Sequence, residues 1–228
     1  MNETLFTALA LIPALVFAIV FHEVSHGYVA RLLGDPTASE QRRLSLNPIR
    51  HVDPIGTVVV PGLLALSGAP VFGWAKPVPV NKWRLRNPRY GMMAVAAAGP
   101  GSNLVLAAVA AVLLGLVARF TVDPTGATVA FAAASLHFFI LINIFLALFN
   151  LLPIPPFDGS HIVEGILPRD AARVYERLRP FGFPLLFLIL LVLPALFPAF
   201  NVVERFVVPP VEWMTNHYMA LAGKVAGI

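Results

Sequence analysis

Cysteine is absent from the 228 residues, so no disulfide framework and no thiolate chemistry is available to this chain. Charge is scarce as well: Asp, Glu, Lys and Arg together make up 12% of the residues, against about a quarter in an ordinary soluble domain. That shortage excludes a solvated surface over most of the chain. No basic helix and no stripe alternating aromatic with basic residues is present, which excludes the usual nucleic-acid footprint despite a net charge of +4 and a pI near 9.9. No internal repeat and no low-complexity segment is found.

What fills the chain instead is apolar sequence. Hydrophobic residues reach 58% and the mean hydropathy is +0.79. Runs of about 18 or more apolar residues read as membrane spans. Leu5 to Leu33 forms one such run, ended by Gly34-Asp35-Pro36. It has no basic leader and no small-residue cleavage site, so it reads as a retained span rather than a signal peptide. Gly91–Val117, Ala127–Leu152 and Phe181–Phe200 give three more. Residues 57–66 are apolar but too short to cross and read as a re-entrant or interfacial piece. Residues 70–83, PVFGWAKPVPVNKW, alternate valine with proline and polar residues, a pattern expected of an extended edge strand in a small membrane-associated β-hairpin or sheet.

The fold class expected is therefore an all-α polytopic membrane protein with about four transmembrane helices, five being the alternative. A core over residues 1–200 is followed by an amphipathic helix over 201–228. Lys and Arg concentrate in 31–91 (Arg31, Arg42, Arg43, Arg50, Lys76, Lys82, Arg84, Arg86, Arg89) and in 157–180 (Arg169, Arg173, Arg177, Arg179), whereas the 119–126 turn holds Arg119 alone. Basic loops stay in the cytoplasm. The expected topology is four spans with both termini outside.

Residues 22–26 read His-Glu-Val-Ser-His. Positions i and i+4 share a helix face, so two imidazoles can bind one zinc ion while the intervening Glu23 serves as general base. In an apolar span ionisable groups are costly, and function is the default explanation. A catalytic zinc site takes three protein ligands. Asp158, in NLLPIPPFDGSHI just past the third span, is the leading candidate for the third, with a helix N-cap as its alternative role. A metal transporter would also place His and Asp in a membrane, but it calls for paired repeats and a two-sided path. An inert scaffold has no use for metal ligands.

HEVSH (22–26), AAGPGSN (97–103) and NLLPIPPFDG (150–159), with LNPIRHVDPIGT (46–57) and GWAKPVPVN (73–81) between them, together resemble the site-2 protease family of intramembrane metalloproteases, in its short prokaryotic form. The resemblance implies His22, His26 and Asp158 as ligands of one Zn²⁺ per chain and Glu23 as the catalytic base. It also implies a transmembrane protein substrate within the lipid bilayer and an active site toward the cytoplasmic side of a prokaryotic cell membrane. The family's regulatory PDZ insert has no room between 104 and 127.

Asn103 and Asn150 are candidate oxyanion or substrate-positioning donors, with interhelical hydrogen bonds as the alternative. His51 and Asp53, in a polar loop, and His161, beside the Asp-Gly pair, are candidates for supporting the ligands from behind. His137 reads as hydrogen-bonded core and His217 as interfacial. Residues 71–80 are the expected edge onto which an unwound substrate would add as a strand.

Overall fold

The computed structural model describes residues 2–68, 73–121, 123, 126–197 and 201–228. Helix α1 spans Glu3–Leu32, capped by the Asn2 side chain, which accepts from the Thr4 N–H at 3.1 Å. A short α2 (Thr37–Glu40) and a loop lead to a wide helical turn, Pro54–Val59, that continues into α3 (Val60–Ser67). Then follow α4 (Pro88–Phe120), α5 (Ala127–Asn150), α6 (Asp158–Ile166), α7 (Arg169–Glu176), α8 (Gly182–Phe187), α9 (Leu193–Leu196) and α10 (Val208–Ala226).

Four helical stretches are long and apolar enough to cross a membrane: Glu3–Leu32, Pro88–Phe120, Ala127–Asn150 and the composite Arg169–Leu196. The chain is thus an all-α integral membrane protein. The apolar stretch Pro54–Leu64 is shorter than a span. At about 1.5 Å per residue it falls well short of the roughly 30 Å hydrocarbon layer.

The centre of the bundle is set by two stripes of small residues. On α1 the buried positions Ala10, Ala14, Ala18, His22, His26 and Ala30 recur every fourth residue. On α4 the same spacing runs through Gly91, Val95, Gly99, Asn103, Ala107, Ala111 and Gly115. Residues four apart share a face, and small residues let helices approach closely where the surrounding solvent gives no hydrophobic push. The two histidines continue the alanine stripe, so the sequence pattern that packs α1 also delivers the imidazoles to α4.

Helix α5 packs on both α1 and α4, and α10 packs on α4 and α5. Val207, Val211 and Ala222 join Ala107, Ala110, Ala111, Ile140 and Ile144 in one core. A Cβ on Gly115 would meet the Ala222 carbonyl and lie 2.7 Å from Val225 Cβ, so glycine is what admits α10 to the α4 surface.

The expected β-hairpin or sheet is not found; no strand occurs among the described residues. Residues 71–72 of the expected edge lie outside them. Residues 73–81 form a strap without regular secondary structure, and its backbone donors are taken by groups other than a strand. Trp74 N–H donates to the Gly56 carbonyl (3.0 Å), Lys76 N–H to the His51 carbonyl (2.8 Å), and Val78 N–H to Glu23 Oε2 (2.8 Å). Pro77 and Pro79, between and beyond them, have no N–H to give a neighbouring strand. The valine–proline alternation gives a strap without a ladder.

Candidate metal centre

His22 and His26 lie one turn apart on α1, both buried, their rings edge to face with centroids 4.7 Å apart. Each ring is held through Nδ1. His22 Nδ1 lies 2.6 Å from Asn103 Oδ1 and His26 Nδ1 lies 2.7 Å from the Val95 carbonyl oxygen, both partners being on α4. A carbonyl oxygen can only accept, so Nδ1 is the donor and the Nε2 lone pair is free on the opposite side of the ring.

Both Nε2 atoms face Asp158. Asp158 Oδ2 is 3.1 Å from His22 Nε2 and 3.3 Å from His26 Nε2. Oδ2 is nevertheless a buried oxygen without a hydrogen-bond partner. Two ring nitrogens presenting lone pairs to a carboxylate oxygen repel it unless a cation sits between them. One ligand atom from each of the three residues falls within 4.8 Å of the others. The donor set, two imidazole nitrogens and one carboxylate, is one that zinc accepts, so the residues present fit the metal.

Asp158 reaches this position because α5 ends just before it. The turn over 151–157 is closed by Ile154 N–H to the Leu152 carbonyl (2.8 Å) and Phe157 N–H to the Ile154 carbonyl (3.0 Å). Asp158 then opens α6. A Cβ on Gly159 would collide with the Leu151 and Leu152 carbonyl oxygens, so the Asp-Gly pair lets α6 start directly against the end of α5. Gly99 plays the equivalent part on α4. A Cβ there would stand 2.5 Å from His26 Cε1 and 2.6 Å from His22 Nε2.

Glu23 faces the strap, where Val78 N–H donates to its Oε2. Val78 is buried, and a Cβ on Gly27, one turn further along α1, would lie 2.8 Å from Val78 Cγ1. The strap is fixed at its far end by Asp35, whose carboxylate accepts from Asn81 N–H (2.6 Å), Thr37 N–H (3.0 Å) and the Thr37 hydroxyl (2.5 Å). Burial works against the ionised form, but these hydrogen bonds outweigh it and hold the Asp35 carboxyl below its ordinary range.

The remaining candidates are distributed as follows. Asn103 is fully buried, with Oδ1 on His22 and Nδ2 donating to the Ala18 carbonyl (3.1 Å) and to Asn143 Oδ1 (2.7 Å). Asn150 Nδ2 donates back to Leu146 in its own helix (2.9 Å). His51 and Asp53 build the loop beneath the strap: His51 Nε2 meets the Ser45 carbonyl (2.7 Å), and Asp53 caps the Pro54 turn through Ile55 and Gly56 N–H. Neither joins the three-residue ligand group. His161, on α6, receives Arg179 at Nδ1 (2.8 Å), and Arg179 also pairs with Glu164. Burial, and then the Arg179 charge, push the His161 imidazole down to about 4, so it is neutral near pH 7. His137 is exposed and stays outside the ligand group, and His217 Nδ1 donates to the Trp213 carbonyl (2.7 Å).

Three partners escaped sequence reasoning: the Val95 carbonyl, the Val78 N–H and Asn143. The first two are backbone atoms and leave no mark in side-chain identity. Asn143 did leave one, as the single amide within the apolar run FFILINIFLALF.

The model of peptidase family M50 matches residues 10–193. The protein named "Putative zinc metalloprotease YwhC" from Bacillus subtilis (strain 168) is 40% identical over 201 residues, covering 85% of this chain and 87% of its own. Two proteins with the same description under the name Rip2 are similar as well. That of Mycolicibacterium smegmatis is 30% identical over 181 residues (79% of this chain, 66% of its own), and that of Mycobacterium tuberculosis H37Rv is 31% identical over 214 residues (91% and 75%). No solved structure matches the chain. The length of the family match and the identity to these relatives together establish that the chain belongs to peptidase family M50, the site-2 proteases, and is a zinc metalloprotease.

Proposed function

We propose that this protein is an intramembrane endopeptidase that hydrolyses peptide bonds in or near the transmembrane segments of other membrane proteins. It holds one zinc ion per chain through His22, His26 and Asp158. The observation that carries this reading is the location of the triad: both histidines lie on the apolar α1, which is long enough to span a bilayer, and Asp158 meets them from the start of α6.

When bound there, zinc supplies Lewis acidity, polarising the scissile carbonyl and making a water more acidic. The chain's own residues do the rest. Asn103 and the Val95 carbonyl orient the two imidazoles so that Nε2 of each points to Asp158. Glu23, the proposed general base, has Oε2 tied to the Val78 N–H, which leaves Oε1 to take the proton of the attacking water and return it to the leaving amine.

The ligand residues lie beside the ends of α1 and α4 nearest the basic loops 31–91 and 157–180. The positive-inside rule therefore favours an active site toward the cytoplasmic face of a prokaryotic cell membrane.

The test is reconstitution in liposomes with single-pass substrates, wild type beside Glu23→Gln, with and without a zinc chelator. The expected result is cleavage within the substrate's membrane segment by the wild type alone, lost on chelation. Equal cleavage by both proteins would remove Glu23 from the chemistry and overturn the proposal.

A further inference from the structure

Asn143 belongs to α5, a helix that supplies no ligand, yet it is joined to the metal centre by an unbroken run of side-chain hydrogen bonds. We infer that Asn143 is a positioning residue that, through Asn103, fixes the ring orientation and tautomer of His22; the inference rests on the reading of His22 as a zinc ligand.

The direction of the run follows from its ends. Asn143 Nδ2 donates to the Phe139 carbonyl of its own helix at 2.8 Å. That carbonyl can only accept, so the amide is pinned with Oδ1 turned toward α4. Oδ1 then accepts Asn103 Nδ2 at 2.7 Å, and the same Nδ2 donates its other hydrogen to the Ala18 carbonyl on α1 at 3.1 Å. Both hydrogens of Asn103 are thereby committed, and its Oδ1 is left facing His22 Nδ1 at 2.6 Å.

An oxygen at that place requires a proton on His22 Nδ1, and hence a lone pair on Nε2, the atom facing Asp158. Were the Asn103 amide turned over, its NH₂ would face Nδ1, its oxygen would oppose both Asn143 Oδ1 and the Ala18 carbonyl, and Nε2 would carry the proton. Both amides are fully buried, so no water can substitute for a missing partner.

His26 needs no such relay, because the backbone carbonyl of Val95 performs the same task in one step. The two ligand histidines are therefore set differently, one by rigid backbone and one by two side chains spread over two further helices. Groups behind a metal ligand typically change metal affinity by roughly tenfold to a hundredfold.

The experiment titrates purified, metal-depleted wild type, Asn143→Leu and Asn143→Asp with zinc against a chromogenic chelator, and records the visible spectrum of each Co²⁺ form and the unfolding temperature of each metal-free form. Leucine removes both bonds while keeping the branched, four-atom side-chain shape. A neutral aspartic acid keeps an accepting oxygen for Asn103 and a hydroxyl for Phe139. The expected result is a zinc affinity lowered roughly tenfold or more in Asn143→Leu, with an altered Co²⁺ spectrum, and recovery of both in Asn143→Asp.

A purely structural Asn143 would lower the unfolding temperature while leaving affinity and spectrum at wild-type values, and that outcome overturns the inference. If Asn143→Leu does not fold, Asn143→Ala takes its place: lowered affinity with an altered spectrum supports the relay, and wild-type values of both overturn it. A wild type that binds no zinc overturns the metal assignment itself, a result distinct from both.

Discussion

Gly99 sits in the α1–α4 contact with no side chain, and replacing it with alanine is the sharpest test of how the centre is built. The added Cβ would lie 2.5 Å from His26 Cε1 and 2.6 Å from both Cε1 and Nε2 of His22, where ordinary contact begins at 3.4 Å. Relief demands that the rings retreat by about 1 Å, yet metal–ligand distances tolerate only about 0.2 Å. The rings cannot simply rotate away, because each is tied through Nδ1 to α4, the helix that carries the new methyl group.

Overpacking of this kind costs about 1–3 kcal/mol. Alanine returns about 1 kcal/mol in a helix interior through its better intrinsic propensity. The fold should therefore survive Gly99→Ala while the ligand geometry does not. Zinc affinity should fall by a factor on the order of 100, equivalent to about 2.7 kcal/mol. Gly101→Ala, one position past Pro100, is the matched control, since nothing lies within 4 Å of its added Cβ. Chelator-competition titration in detergent reads both variants. Zinc binding by Gly99→Ala within about threefold of wild type, given the tenfold effects expected of even indirect partners, would refute the close-approach argument.

Replacing the Val78 amide by an ester, which deletes the N–H donated to Glu23, should lower kcat by roughly tenfold, in keeping with a hydrogen bond to a charged group, and leave zinc affinity unchanged; equal kcat would show the contact to be idle. Asp35→Ala strands three donors, those of Thr37 and Asn81, and should destabilise the protein by about 2–4 kcal/mol, with faster amide exchange along 73–81; unchanged exchange would separate the strap from Asp35. His161 takes up a proton near 6.5 when unfolded but only at about 4 when folded, so the unfolded chain binds more protons between those values. Its contribution is present above pH 6.5 and lost as pH falls through about 4, a swing of roughly 3 kcal/mol that His161→Gln should remove from the stability–pH curve.

The ligand pair was legible because its chemistry has a helical period. HEVSH on an apolar run fixes the face, the spacing and the cost of putting such groups there. The four spans were legible from run length. Asp158 was one candidate with an alternative until motif resemblance singled it out, since its approach to α1 depends on where α5 ends and on the Gly159 contact. The strap was misread because valine and proline at alternate positions look the same whether the backbone's other edge meets a strand, a carbonyl or a carboxylate. Asn103 was marked as an amide near the site, but which of its atoms faces His22 is set by Ala18 and Asn143, 85 and 40 residues away in the chain.

The sharing of one centre between α1 and α4 has a mechanical consequence. With both histidine ligands on one helix and their orienting acceptors on the other, any slide between the two would break Nδ1 contacts of 2.6 and 2.7 Å before it admitted anything the size of a peptide. This pair behaves as a stator. Motion that admits a substrate has to be assigned to parts that pack less against it, chief among them the 182–196 segment, whose helices pack on one another and which meets the rest through Phe183 on Trp74 and Gly182 on Pro155. A covalent clamp between α1 and α4 should leave turnover intact, while one that fastens 182–196 to the bundle should stop it. In a chain without native cysteine, engineered pairs can make both clamps with no competing thiol.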